Sequence, residues 1–187
     1  ESFDKYIGVK YALCTSSCTG ALHLALASLG IKKGDEVIVP DFTWIASVSI
    51  INYLGATPIF VDVDPESWTI LPEAIEKAIT PNTKAIIPVH MYGHPAEMDK
   101  IMEIAKKYNL TVIEDAAPSI GAEFKGKKTG SFGEFAAFSF QGAKLLVTGE
   151  GGMLLTNNKE LYEIAKNLND HGRDPKIPFW INRIGYK

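Results

Sequence analysis

Nowhere in this sequence do about 18 apolar residues follow one another, so no membrane-spanning helix is expected. Cysteine is scarce: Cys14 and Cys18 are the two. No Cys or His pair stands at a metal-ligand spacing from them, so neither a zinc site nor a disulfide framework is expected, and reduced thiols fit a cytoplasmic protein. Charge of one sign is also missing. The net charge of −3 gives no reason to expect nucleic acid or an anionic membrane as a partner. The one basic cluster, Lys125, Lys127 and Lys128, is interrupted by glycine and reads as an exposed turn. No G-x-G-x-x-G follows the first expected strand, which leaves a dinucleotide-binding domain as a weak third reading. The chain opens on Glu1 without an initiator methionine and stops at Lys187 in mid-pattern. A piece of a longer protein is therefore expected.

What is present is ordinary globular material. Of the 187 residues, 46% are hydrophobic and 22% charged, enough to bury a core without staples. Short apolar runs alternate with helical patterns. Strands are expected at 11–14, 36–39, 57–61, 84–88, 110–114, 135–139 and 152–155. Helices are expected at about 19–29, 45–54, 72–79, 97–108 and 159–169, with Pro72 at a first helical position where its missing N–H costs nothing. The stretch 123–130 reads as a small hairpin turning at Gly126. Seven strands interleaved with helices argue for an α/β sheet covered on both faces. In such sheets ligands sit at the carboxyl ends of the strands.

Four segments place polar groups just after a strand. From Cys14, "CTSSCTGALHLAL" joins a strand to a helix through small hydroxyl residues. Free N–H groups and the helix dipole suit a phosphate there, although an N-capped helix without ligand reads equally well. From Thr111, "TVIEDAAPSIGA" brings Glu114 and Asp115 to a strand end, where a carboxylate is either solvated or working. From Phe135, "FAAFSFQGAKLLVTGEGGMLLT" sets Lys144 among small and apolar residues. Most lysines are solvated surface groups, whereas a partly shielded amine can form a Schiff base. From Val39, "VPDFTWIAS" places Trp44 where it could lie on an aromatic ring, the alternative being simple core. In combination these are a phosphate cradle, a ring stacker, a carboxylate able to keep a pyridine nitrogen protonated, and a covalent-attachment lysine.

These stretches, together with "GATPIFVDVDPESWTI" and "TKAIIPVHMYGHPAEMD", resemble the DegT/DnrJ/EryC1/StrS sugar aminotransferases over nearly the whole chain. The resemblance implies a fold-type-I pyridoxal-phosphate (PLP)-dependent transferase large domain, with a mostly parallel seven-stranded sheet and helices on both faces. It implies a cytoplasmic homodimer that moves an amino group from L-glutamate to a keto group of a nucleotide-linked 4-keto-6-deoxyhexose, as in polysaccharide biosynthesis. By motif, Lys144 would hold the cofactor and shuttle the proton, and Asp115 would pair with the pyridine nitrogen. Trp44 would stack on the ring, while Cys18, Thr19 and Ser139 would hold the phosphate.

Three positions depart from the family pattern. Cys18 replaces a common glycine and is expected to restrict φ in the phosphate loop. Pro118 replaces a polar residue, and Gln141 stands where His, Tyr or Asn is frequent. The end, "NDHGRDPKIPFWINRIGYK", is most like perosamine-synthase-like members. On this reading residues 1–170 are the PLP-binding large domain lacking an N-terminal segment. Residues 171–187 begin the connection to an absent small C-terminal domain. Two other functions stay open: a PLP-dependent lyase or dehydratase on a nucleotide sugar, and a catalytically silent nucleotide-sugar-binding module.

Overall fold

A computed structural model of the chain describes residues 2–174 and 176–186. In chain order the elements are α1 (Ser2–Ile7), β1 (Tyr11–Thr15), α2 (Cys18–Ser28), β2 (Glu36–Pro40), α3 (Ala46–Tyr53), β3 (Thr57–Val61), α4 (Pro72–Ala78) and β4 (Thr83–Ile86). They continue with α5 (Met98–Tyr108), β5 (Thr111–Asp115), β6 (Glu123–Phe124), β7 (Lys127–Lys128), β8 (Phe135–Ser139), β9 (Gly152–Thr156) and α6 (Lys159–Asn169). The expected elements all form, with ends displaced by a residue or two.

Seven strands make one sheet in the order β1-β9-β8-β5-β4-β2-β3. Neighbours from β3 through β8 pair in parallel, while β9 runs antiparallel to both β8 and β1. The expected mostly parallel α/β sheet is therefore what forms. Its central strands are apolar on both faces because helices cover both. Every residue of β8 is buried, as are the last four of β2. Alternation along the strands divides the core. Val37, Val39, Ala85, Ile87, Ile113, Phe135, Ala137 and Leu154 pack with α2, α3 and α6. Ile38, Ile86 and Val112 pack with α4 and α5. Ala136, Phe138 and Leu155 meet Phe3 and Ile7 of α1.

The hairpin β6–β7 turns at Lys125 and Gly126, both at positive φ (51° and 78°). That is the backbone a tight two-residue hairpin turn requires, which accounts for the glycine. Helix α1 has no counterpart among the expected elements. It holds its place through Phe3, which meets Phe138 and Phe140 edge-on at 5.1 and 5.4 Å. Among the described residues, no helix is long and apolar enough to cross a membrane. No group of His, Cys, Asp and Glu among them could hold a metal ion.

Candidate active site

Following β1, β2, β4, β5 and β8 to their carboxyl ends leads to one place. Ser17, Cys18 and Thr19 lie just beyond β1; Phe42, Thr43 and Trp44 beyond β2; Val89, Met91 and Tyr92 beyond β4. Asp115 ends β5 and Ser139 ends β8. All of them line a single cavity of about 980 Å³, together with Lys144 from the loop between β8 and β9. This is the ligand position that an open parallel sheet offers. The six residues singled out in the sequence, Cys18, Thr19, Trp44, Asp115, Ser139 and Lys144, thus share one site. A second hollow of about 1070 Å³, between α6 and residues 173–174 and 178–183, contains none of them.

The start of α2 forms one wall. Ser17 is its N-cap, with the hydroxyl accepting from the Gly20 N–H at 3.0 Å. The N–H groups of Cys18 and Thr19, first in the helix, have no acceptor within it and stand at the positive end of its dipole. Strand β9 presses close behind this turn. A Cβ on Gly152 would lie 2.3 to 2.5 Å from the backbone of Ser17 and Cys18, so only glycine allows the approach. Cys18 has helical, negative-φ backbone, and a side chain there carries no conformational penalty. The φ restriction expected at this position does not arise, because the residue belongs to the helix. Burial first, then the negative charge of Asp115, push the Cys18 thiol well above its ordinary range, with Lys144 pulling the other way.

Asp115 forms the floor and is 5% exposed. Its Oδ2 accepts from the Ser47 hydroxyl at 2.6 Å and its Oδ1 from the Ala117 N–H at 3.1 Å. Burial raises its pKa. The Ser47 and Ala117 hydrogen bonds and the positive charge of Lys144 oppose that rise. Lys144 is half-buried, and its backbone N–H donates to the Gln141 carbonyl at 2.8 Å. The Gln141 side chain in turn accepts from the Ala143 N–H at 2.9 Å. Trp44 is not core: at 78% exposed it leaves its indole face free at the cavity. Ser139 is buried at the end of β8.

Glu114 is neither solvated nor in the cavity. Strand pleating turns it to the opposite face from Asp115, where it is 0% exposed. Its carboxylate accepts four hydrogen bonds: from the N–H groups of Gly130 (2.7 Å), Phe132 (2.7 Å) and Gly133 (2.8 Å), and from His90 Nε2 (3.0 Å). His90 Nδ1 accepts from the Ala96 N–H at 3.1 Å, so the ring's proton sits on Nε2. The His90 N–H itself donates to the Asp115 carbonyl at 3.2 Å. The sequence showed neither Ser47 nor His90 as a member of this region. A serine in a helical run and a histidine after a strand carry no spacing signal toward a carboxylate 68 or 24 residues away.

Chemically, the cavity offers an amine, a buried carboxylate, an exposed indole and an anion-ready helix terminus around one space. Fold and site together define an open α/β domain built to hold an anionic aromatic ligand at its strand ends. The chain belongs to the DegT/DnrJ/EryC1/StrS aminotransferase family, whose pattern matches residues 1–187. It is 48% identical over 186 residues to GDP-perosamine synthase of Caulobacter vibrioides and 52% identical over 186 residues to that of Escherichia coli O157:H7. All of this chain aligns with 50% and 51% of those proteins, respectively. Among solved structures, the aminotransferase from Psychrobacter cryohalolentis superposes with a TM-score of 0.94 at 40% identity, over 99% of this chain and 50% of that one. NtdA from Bacillus subtilis, solved with bound cofactor PMP, superposes with a TM-score of 0.91 at 35% identity, over 98% of this chain and 42% of that one. The chain spans about half the length of the curated relatives it matches.

Proposed function

We propose that this chain is the cofactor-binding half of a pyridoxal-phosphate-dependent aminotransferase. The observation that carries the proposal is the convergence of Lys144 and Asp115, from different strand ends, on one cavity with the start of α2 on its wall. The residues suit the cofactor. The Cys18 and Thr19 N–H groups and the Ser139 hydroxyl can take the phosphate, the exposed Trp44 face can take the ring, and the Asp115 carboxylate can take the pyridinium N–H. When bound, pyridoxal phosphate supplies an electron sink for the bond being broken at the amino donor's carbon.

The chain's own groups do the rest. Asp115, ionised and low in the cavity, keeps the ring nitrogen protonated by charge pairing. Lys144 Nζ would hold the cofactor covalently and, as a free amine, would take the proton from the amino donor's Cα. The Lys144 N–H to Gln141 carbonyl bond and the Ala143 N–H to Gln141 side-chain bond hold the backbone turn that presents the lysine. The amino donor in this reading is L-glutamate and the acceptor a keto group of a nucleotide-linked 4-keto-6-deoxyhexose; the likeness to two GDP-perosamine synthases supports the nucleotide-linked sugar. Residues 1–170 form the PLP-binding large domain and 171–187 the connection to a further domain. The working unit is a cytoplasmic homodimer engaged in polysaccharide biosynthesis. Leu145, Leu146 and Val147, exposed beside Lys144 with Leu145 at 85%, support a subunit contact at that edge.

Borohydride reduction of the pyridoxal-phosphate-loaded protein tests the proposal. The phosphopyridoxyl mass should appear on the peptide carrying Lys144 and vanish in Lys144→Ala, and L-glutamate added beforehand should abolish it. Labelling of a different lysine would overturn the assignment.

A further inference from the structure

We infer that Ser47, seconded by Thr43, is a positioning residue that keeps Asp115 anionic and aimed into the cavity. The inference deepens the reading above and rests on it for the identity of the ligand. Ser47 is 0% exposed, and its hydroxyl reaches Asp115 Oδ2 at 2.6 Å. An ionised carboxylate can only accept, so the one hydroxyl hydrogen of Ser47 points at Asp115. The Thr43 hydroxyl, 3.1 Å from Ser47 Oγ, is then the donor in its pair. The chain of donation runs Thr43 to Ser47 to Asp115, and it favours the ionised carboxylate, which is the stronger acceptor.

A second observation is the start of α3. Its N-cap residue is Ile45, and no side chain caps it, although two hydroxyl residues stand within two positions of that cap. Both hydroxyls are turned instead to the Asp115 chain. The first N–H groups of the helix are satisfied by backbone, Ser47 N–H by the Trp44 carbonyl and Val48 N–H by the Ile45 carbonyl, so the Ser47 hydroxyl is free to serve a carboxylate 68 residues away. The other groups facing Asp115 are His90 at the end of β4, Lys144 on the loop after β8 and the Cys18 thiol on α2. Of these, His90 is bound to Glu114 and Ala96, and Lys144 is required for the covalent link. Ser47 is the side chain with no other assignment whose hydrogen bond acts on Asp115 directly.

The test compares wild type, Ser47→Ala, Ser47→Thr and Thr43→Val in the full-length protein. In the unloaded state, urea stability is measured from acid to neutral pH. Removing the hydroxyl hydrogen bond raises the folded pKa of Asp115 further. Stability present below the unfolded carboxylate range is then lost over a wider span of pH, up to the higher folded value, so the total loss is larger. Ser47→Ala should therefore show a larger fall than wild type, Thr43→Val a smaller change of the same sign, and Ser47→Thr the wild-type curve. A hydroxyl that merely packs would give a pH-independent offset. With pyridoxal phosphate added, Ser47→Ala should bind it on the order of 10-fold more weakly. It should also shift the pH titration of the bound cofactor's absorbance.

Parallel stability curves for Ser47→Ala and wild type would overturn the inference, and so would an unmoved absorbance titration. Should Ser47→Ala not fold, Thr43→Val decides by the same two readouts. If wild type itself takes up no pyridoxal phosphate, the functional reading fails, while the stability curves of the unloaded protein still decide the role of Ser47.

Discussion

Replacing Glu114 by Ala should destabilise the protein far more than any nearby surface change. The carboxylate is fully buried and accepts four hydrogen bonds, two of them from donors that are themselves buried, His90 Nε2 and the Gly130 N–H. The Phe132 and Gly133 N–H groups are part-buried and can turn partly to water. A buried donor left without a partner costs about 1–3 kcal/mol, so the two buried donors alone set a loss of roughly 2–6 kcal/mol. At about 2–4 °C per kcal/mol for a domain of this size, the melting temperature should fall by about 4–24 °C.

The informative control is Glu114→Gln, which keeps the shape. A carboxamide nitrogen cannot accept, so at least one of the two oxygen positions would face N–H groups with another donor. Glu114→Gln should therefore still lose about 2 kcal/mol or more. Urea unfolding followed by tryptophan fluorescence measures both. A Gln variant within about 0.5 kcal/mol of wild type, the scatter of neutral substitutions, would refute the hydrogen-bond account and leave only a packing cavity.

Asp115→Asn should flatten the dependence of stability on pH in the unloaded protein. Burial holds the wild-type carboxyl above its ordinary value, so wild-type stability falls as pH rises through that value, and a carboxamide does not titrate. The same variant should bind pyridoxal phosphate more weakly, and unchanged affinity would contradict the pairing with the ring nitrogen. Gly152→Ala should separate β9 from the start of α2, since the new Cβ meets the Ser17 and Cys18 backbone at 2.3 to 2.5 Å. Weaker cofactor binding together with a lower melting temperature is expected, and wild-type behaviour in both would show that the close approach is dispensable.

Much of the fold could be read directly from the chain. Strands β1 to β5, β8 and β9 announce themselves by apolar runs bounded by Gly, Pro and Asp, and α5 and α6 by their one-sided apolar periodicity. These are local signals, fixed by backbone propensity and by which face of an element is apolar. Helix α1 was not legible because six residues with no long periodic pattern carry little local preference, and its stability comes from Phe3 packing on β8 and the residue beyond it. The strand order and the antiparallel setting of β9 were likewise invisible, being decided by which faces fit together.

The candidate site divides along the same line. Residue types and their places just after strands singled out Lys144, Asp115 and Trp44, and the family resemblance added Cys18, Thr19 and Ser139; the six meet because parallel strand ends in an α/β sheet converge on one edge. Adjacent Glu114 and Asp115 look equivalent in the sequence. Only the pleat, fixed by burial of β5 on both faces, sends one into the cavity and locks the other behind it. Ser47, Thr43 and His90 gain their partners through contacts across the chain. Tertiary structure alone assigns them, because a hydrogen bond between residues far apart in sequence leaves no trace in the residues on either side of it.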